Sequence, residues 1–359
     1  MSSDPAPVLI MAGGTGGHIM PALAVAGLLA EAGRPLVWLG SRHGLENRLV
    51  PERGIELHTL PVRGLRGKSL LRTLLAPLLL LAALFHALRL LRRLRPAVAL
   101  GMGGFASAPG GIAAWLLRIP LVIHEQNAVA GLSNRLLAPL ASRVFEAFPG
   151  SFPAGCRAEC VGNPVRRELT ELPPPEQRGV GRGETLRLLV LGGSQGARAL
   201  NQVLPEALAS LSMPPEVLHQ SGPAELEQTR RRYRELGVEA KVCGFIDDMA
   251  QAYAQADLVI CRAGALTLSE LLAVGLGSIL VPFPHAVDDH QRRNAEYLVA
   301  GGAARLLPQA ELGPESLASL IGELCREPGR LAEMAARARE MARPEAARRV
   351  ADACLELGR

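Results

Sequence analysis

Aromatic side chains are scarce in this sequence. Phe, Tyr and Trp make up 3% of its 359 residues, although 48% are hydrophobic. A core of small aliphatic side chains favours helices packed on sheets over a β-sandwich. Cysteine is sparse and scattered, at positions 156, 160, 243, 261, 325 and 354, with no C-x-x-C pair. Cys156 and Cys160 have no second Cys/His pair to complete a zinc site. Dispersed thiols of this kind read as reduced and cytosolic. The opening residues, MSSDPAPVLIMAGG, lack a basic n-region and run directly into a strand pattern, so no signal peptide is expected. A transmembrane span of about 20 apolar residues is missing too. The apolar stretch Leu74–Phe85 is shorter, contains Pro77, and has Arg72, His86 and Arg89 around it.

Two nucleotide motifs are absent. No G-x-x-x-x-G-K-[ST] occurs, which argues against ATP binding by a P-loop. The first glycine-rich turn reads G-G-T-G-G-H rather than G-x-G-x-x-G. The second strand ends Leu39-Gly40-Ser41-Arg42, without the acid that would hold an adenosine ribose, so NAD is disfavoured. The net charge of +5 is mildly basic and compatible with anionic lipid, nucleic acid or phosphorylated metabolites, or simply with a solvated, Arg-rich surface.

The pattern that is present repeats. The apolar run Val8–Ala12 ends in Gly13–His18, a helical pattern follows, and Pro35–Leu39 reads as a second strand. Val98–Gly101 meets another glycine-rich turn, Gly101–Phe105, and the strand Pro120–His124 precedes Glu125-Gln126-Asn127. Residues Asn163–Glu184, with Pro173-Pro174-Pro175 and three glycines among charges, carry a linker signature. After it the opening recurs: Leu186–Leu191, then Gly192–Gly196, then a helix. Leu258–Ile260 leads through Cys261–Gly264 into another helix; Ser278–Pro282 reads as a strand, Phe283–His290 as a loop and Pro344–Leu357 as an amphipathic helix. Two strand–turn–helix openings on either side of a linker predict an α/β chain of two Rossmann-like domains. The expected boundaries are 1–164, 165–341, and a C-terminal helix over 342–359 that packs back on the first domain.

Glycine-rich turns at helix N-termini bind phosphate through backbone N–H groups and the helix dipole, although tight turning alone also demands glycine. Metal-dependent sugar transferases usually need D-x-D. Here only Asp247-Asp248 and Asp288-Asp289 occur. A diphosphate would then be met by backbone N–H groups, hydroxyls and arginine, with Ser194, Arg166 and the turn Gly264–Thr267 as candidates and no metal or cofactor expected.

The segments GGTGGHIMPALAVA, GLRGK, LGMGGF, HEQNAVAGLSNR, VGNPVR, LGGSQGAR, LNQ, FIDDM, CRAGALTLSE and VPFPHAVDDHQRRNA occur in order from residue 13 to 295. Through them the chain resembles the MurG family of glycosyltransferases. That resemblance implies a GT-B fold, two facing Rossmann-like domains with the donor cleft between them. It implies transfer of N-acetylglucosamine from UDP-N-acetylglucosamine, with inversion, to undecaprenyl-diphosphate-N-acetylmuramoyl-pentapeptide (lipid I). Carried over by position, Glu270 would hold the ribose and Ile246 would contact uracil through its backbone. Ala265, Leu266 and Thr267 would line the diphosphate, with Leu268 and Ser269 in the same run. Ser194 and Arg166 would add diphosphate contacts, and Gln291 and Asn294 would hold the sugar hydroxyls. Thr15, Gly16, Gly17, His18 and Asn127 would face the acceptor and the reacting sugar. Phe105 departs from the family, which often has Tyr there, so a hydroxyl contact is lost.

Inverting displacement needs a base on the acceptor hydroxyl. His18 fits by chemistry, since histidine ordinarily titrates near pH 6.5. It could equally be a hydrogen-bonding or helix-capping residue, and Glu125 and Asp288 are substitutes. In the Ser69–Arg95 segment, Leu74, Leu75, Leu78, Leu79, Ala82 and Phe85 share one helical face. Arg63, Arg66, Lys68, Arg92, Arg93 and Arg95 surround it. The segment reads either as an interfacial helix on anionic lipid or as a buried crossover helix. With a lipid acceptor implied, Leu75, Leu79 and Phe85 are expected to face the cytoplasmic side of the inner membrane. A nucleic-acid partner is not expected. Another GT-B transferase with a different donor or glycolipid acceptor, or a nucleotide-sugar-binding membrane protein without turnover, are the competing readings.

Overall fold

The computed structural model describes residues 5–42, 44–60, 70–183, 185–193 and 197–359, with backbone alone at 70–77, 287 and 328. The chain divides into two compact units, Met1–Arg166 with Arg343–Arg359, and Arg167–Ala342.

Among its described residues the first unit contains seven strands: β1 (Val8–Met11), β2 (Leu36–Ser41), β3 (Glu56–Leu60), β4 (Val98–Gly101), β5 (Leu121–Glu125), β6 (Arg143–Glu146) and β7 (Glu159–Cys160). They form one sheet in the order β3-β2-β1-β4-β5-β6-β7 with every pairing parallel. The central strands β1 and β4 are fully buried, as expected of strands covered by helices on both faces. The second unit contains β8 (Arg187–Leu191), β9 (Glu216–Gln220), β10 (Lys241–Cys243), β11 (Leu258–Cys261), β12 (Gly277–Leu280) and β13 (Ala304–Leu306), ordered β10-β9-β8-β11-β12-β13 and again all parallel. Both are doubly wound sheets. Strand order reverses between β1 and β4 and between β8 and β11, so ligand sites are expected beyond the carboxyl ends of those four strands. The expected strands lie within a residue or two of their observed bounds.

Two expectations change. The proline- and glycine-rich stretch after Asn163 is not a free linker beyond Arg167. It carries the short helices Arg167–Thr170 and Pro175–Arg178 and is docked on the second unit. Arg178 donates to the carbonyls of Tyr253, Val274 and Gly275, closing the C-terminal end of the Ala265–Val274 helix. Burial beside Arg339 and Arg187 pushes the Arg178 guanidinium down to about 10. Asp257, 1% exposed, accepts from the Gly181 and Arg187 backbone N–H groups and from the Arg187 side chain. Composition signals a linker, but these tertiary contacts order it.

The Leu70–Leu94 helix is the crossover helix, one of the two readings of the sequence, and it also carries an exposed apolar stretch. It is the crossover from β3 to β4, and its C-terminal half is core: Ala83, Ala87 and Leu91 are buried at four-residue intervals. Upstream, Leu78, Leu79, Leu80, Leu81 and Phe85 are 47–64% exposed. The exposed apolar surface therefore includes Leu80 and Leu81, outside the expected face. Leu75 and the basic residues Arg63, Arg66 and Lys68 lie outside the described side chains. The neighbouring Ser107–Leu116 helix ends in exposed Trp115 and Leu116. No described helix is long and apolar enough to cross a membrane.

The last helix, Ala346–Leu357, lies in the first unit. Its Val350, Ala351, Ala353 and Cys354 are buried with Val8, Val98 and Val122 of the sheet.

Candidate active site

In the first unit the turns after β1 and β4 interlock. A Cβ on Gly104 would come within 2.5 Å of the Gly13 carbonyl oxygen, and one on Gly103 within 2.9 Å of the His18 ring. Both glycines have positive φ, +91° at Gly103 and +88° at Gly104, so a side chain at either would be both strained and crowded. The second turn thus needs its glycines for close approach, whatever it binds. Ser107 locks the arrangement by donating to the carbonyls of Met11 and Gly103. Beneath the first turn sits fully buried Glu46, whose carboxylate accepts from Gly14 N and from the backbone and hydroxyl of Ser41. Glu46 escaped the sequence reading, because an acid after a loop carries no pattern until its partners are known.

Thr15 stands extended and exposed before the Gly16–Glu31 helix, and Gly16, Gly17 and His18 form its half-buried first turn. His18 Nδ1 lies 2.7 Å from Gln126 Oε1. The Gln126 amide nitrogen in turn meets His124 Nδ1 at 3.2 Å and the His124 carbonyl at 3.0 Å. His124 Nε2 lies 2.8 Å from the Gly162 carbonyl. Burial pushes His124 down to about 4, against the opposing pull of the Gly162 carbonyl and the Glu125 charge. Asn163 donates to the Gln126 carbonyl and fixes the backbone there. All four residues of the His124–Asn127 stretch are engaged; sequence reasoning had singled out Glu125 and Asn127 but not His124 and Gln126.

Glu125, a substitute for the base, is 1% exposed and saturated. It accepts from Asn127 N, Asn127 Nδ2, Gly131 N and Asn134 Nδ2. That carboxylate is structural: it orients half-buried Asn127 rather than offering a free lone pair. Arg166, the last residue of this unit, is half-buried.

In the second unit the Ala265–Val274 helix starts at Gly264, at the reversal point beyond β11. Leu266, Thr267 and Ser269 are half-buried, and Ser269 Oγ donates back to the Ala265 carbonyl. Ala265 is nearly buried, and Leu268 is fully buried, with its N–H given to the Gly264 carbonyl. The Leu268 side chain is core. Glu270 is 8% exposed and accepts from the hydroxyl of fully buried Tyr253 at 3.0 Å. Tyr253 sits on another helix, 17 residues away, and nothing in the sequence flagged it. Ile246 is buried. On the His290–Ala300 helix, Gln291 Oε1 accepts from Phe283 N, and buried Asn294 donates to the Ala263 carbonyl, joining that helix to the turn after β11. Arg262 donates to the carbonyls of Val281 and Pro282 and lies 5.5 Å from the Phe283 ring centroid, bracing the loop after β12. Asp288 is exposed on that loop. Ser194 lies outside the described residues.

Two doubly wound parallel sheets, each with helix N-termini at its reversal point, are the two-domain architecture of the GT-B fold class, and likeness to known families shows that the chain is a glycosyltransferase. Residues 8–146 match the glycosyltransferase family 28 N-terminal domain and residues 187–350 its C-terminal domain. The chain belongs to glycosyltransferase family 28 and, within it, to the MurG family. It is 57% identical over 352 residues to a Nitrosococcus oceani protein, covering 98% of each chain, and 56% identical over 354 residues to one from Pseudomonas aeruginosa, covering 98% of this chain and 99% of that one. Both bear the name UDP-N-acetylglucosamine--N-acetylmuramyl-(pentapeptide) pyrophosphoryl-undecaprenol N-acetylglucosamine transferase. The Acinetobacter baumannii MurG crystal structure superposes with a TM-score of 0.87 at 40% identity, covering 98% of this chain and all of that one. The calicheamicin glycosyltransferase CalG4, at 18% identity and TM-score 0.67 over 98% of both chains, shares the fold.

Proposed function

We propose that this enzyme transfers N-acetylglucosamine from UDP-N-acetylglucosamine to the 4-hydroxyl of the muramoyl sugar of lipid I, with inversion, giving lipid II for peptidoglycan synthesis. The observation that carries this reading is the 57% identity, over 98% of both chains, to a relative named for that transfer. His18 takes the proton of the acceptor hydroxyl, whose oxygen attacks C1 of the donor sugar while the bond from C1 to the β-phosphate oxygen breaks and UDP departs. The charge developing on UDP is met by the N-terminus of the Ala265–Val274 helix, with Leu266, Thr267, Ser194 and Arg166. Glu270 holds the ribose, Ile246 the uracil through its backbone, and Gln291 and Asn294 the sugar. Thr15, Gly16, Gly17 and Asn127 address the acceptor and the reacting sugar. In this reading residues 165–341 form the donor domain and 1–164 the acceptor domain, with 342–359 completing the latter.

The exposed run Leu78–Leu81 with Phe85 supports a peripheral seat on the cytoplasmic face of the inner membrane, where the lipid acceptor resides. A turnover assay with radiolabelled UDP-N-acetylglucosamine and lipid I tests the proposal. Labelled lipid II is expected. Turnover only with another sugar nucleotide or glycolipid would transfer the fold to a different reaction, and donor binding without any turnover would make it a binding protein.

A further inference from the structure

The chain of contacts from His18 to Gly162 ends on backbone carbonyls, and carbonyls only accept. That fact assigns the hydrogen in each of its contacts. The Gln126 amide group 3.0 Å from the His124 carbonyl has to be the NH₂ end, because an oxygen there would face an oxygen. Gln126 Oε1 therefore points at His18 Nδ1, 2.7 Å away, and that nitrogen has to carry the hydrogen. At the other end, His124 Nε2 faces the Gly162 carbonyl and carries its own hydrogen, leaving Nδ1 to accept from the Gln126 NH₂ group. The two halves agree: Gln126 donates inward, accepts outward, and has no alternative orientation. His124 is fully buried and Gln126 is 1% exposed, so water cannot substitute for either partner.

We infer that Gln126 and His124 are positioning residues that hold His18 as its Nδ1–H tautomer, leaving the Nε2 lone pair as the basic site for the acceptor hydroxyl. This rests on the reading of His18 as the base. Histidine in water prefers the opposite tautomer, so a base acting through Nε2 needs a fixed acceptor at Nδ1. Catalytic triads solve this with a carboxylate. Here a neutral amide does it, and the amide is itself oriented by a buried neutral imidazole.

Nitrogen-15 NMR of protein labelled at histidine reads the tautomer directly, with the His18 signals identified by their loss in His18→Ala. His18 should appear as Nδ1–H; a predominant Nε2–H form overturns the inference whatever the variants do. Gln126→Met should shift His18 toward Nε2–H and lower kcat about ten- to a hundred-fold, while KM for UDP-N-acetylglucosamine and UDP affinity stay within about twofold. If Gln126→Met does not fold, the wild-type tautomer still decides. An inactive His18→Ala beside a Gln126→Met with wild-type kcat and tautomer refutes the positioning role alone. A His18→Ala that binds UDP and retains most of its kcat refutes the base and this inference with it.

Discussion

Replacing Gly103 with Ala tests whether the glycine-rich turn after β4 exists to admit His18. The Ala Cβ would lie 2.9 Å from His18 Cε1 and Nδ1. Ordinary contact begins near 3.4 Å, so the ring has to retreat by about 0.5 Å. The 2.7 Å hydrogen bond to Gln126 would stretch accordingly. A misplacement of about 1 Å in a catalytic group costs about a hundredfold, so half of that predicts roughly a tenfold fall in kcat. The φ of +91° adds backbone strain of about 1–2 kcal/mol to the folded state. The two effects separate with Gly54→Ala, at φ +69° with no heavy atom within 4 Å of the new Cβ. That control should lose about the same stability in urea denaturation and keep wild-type kcat. Steady-state kinetics with lipid I and UDP-N-acetylglucosamine, beside denaturation curves for both variants, supply the comparison. A Gly103→Ala enzyme with unchanged kcat would refute the packing argument, and an equal kcat loss in Gly54→Ala would show that the effect is general destabilisation.

Glu270→Ala should weaken UDP binding about ten- to a hundred-fold in calorimetry, the loss of about 1.5–3 kcal/mol from a charged acceptor; Tyr253→Phe, which removes the 3.0 Å bond to Glu270, should weaken it about three- to tenfold, and unchanged affinity in both variants would take Glu270 out of the donor site. Leu79→Ser with Phe85→Ser, both at exposed positions, should leave the fold and UDP affinity intact and release the protein from anionic vesicles, whereas Leu91→Ser should unfold it; a double variant that still floats with vesicles would move the membrane contact elsewhere. Burial raises the Asp257 carboxyl, but the Arg187 and Gly181 hydrogen bonds outweigh it and leave the net value below the usual carboxylate range. Its contribution is therefore complete above the unfolded value of about 3.9 and lost as pH falls through the lower folded value. Asp257→Ala should cost about 2 kcal/mol at neutral pH, less than a fully buried pair because Arg187 reaches water, and should flatten the acid limb of the stability curve; parallel acid limbs would contradict this.

The strand–turn–helix repeats were legible because central parallel strands are continuous apolar runs that end in glycine, and that pattern is local. Which residues answer one another across the sheet is not local. Gln126 meets His18 across 108 positions, and Glu46 supports Gly14 across 32. Tyr253 reaches Glu270 from a separate helix. The quoted HEQN segment contained His124 and Gln126, but resemblance directed attention to Asn127, and only the geometry shows what the preceding two do. The region around Pro173–Pro175 looked like a linker because proline and glycine have the same composition in a free tether as in a docked one. The arginine that ties it down finds its carbonyl partners some 75–97 positions away. The leucine-rich helix was ambiguous for a physical reason: one stretch supplies both core and surface, and periodicity alone does not say which half does which.

The return of the chain to the first unit for its final helix has a consequence for biosynthesis. Residues 167–342 are contiguous and are complete as soon as they leave the ribosome, whereas the sheet begun at Val8 waits for Val350, Ala351, Ala353 and Cys354 to cover Val8, Val98 and Val122. The half made last should therefore become protease-resistant first, reversing the usual N-to-C order of domain maturation. Released chains truncated before Ala346 should yield a resistant C-terminal fragment and a digestible N-terminal one, and the opposite pattern would mean that the sheet closes without its last helix.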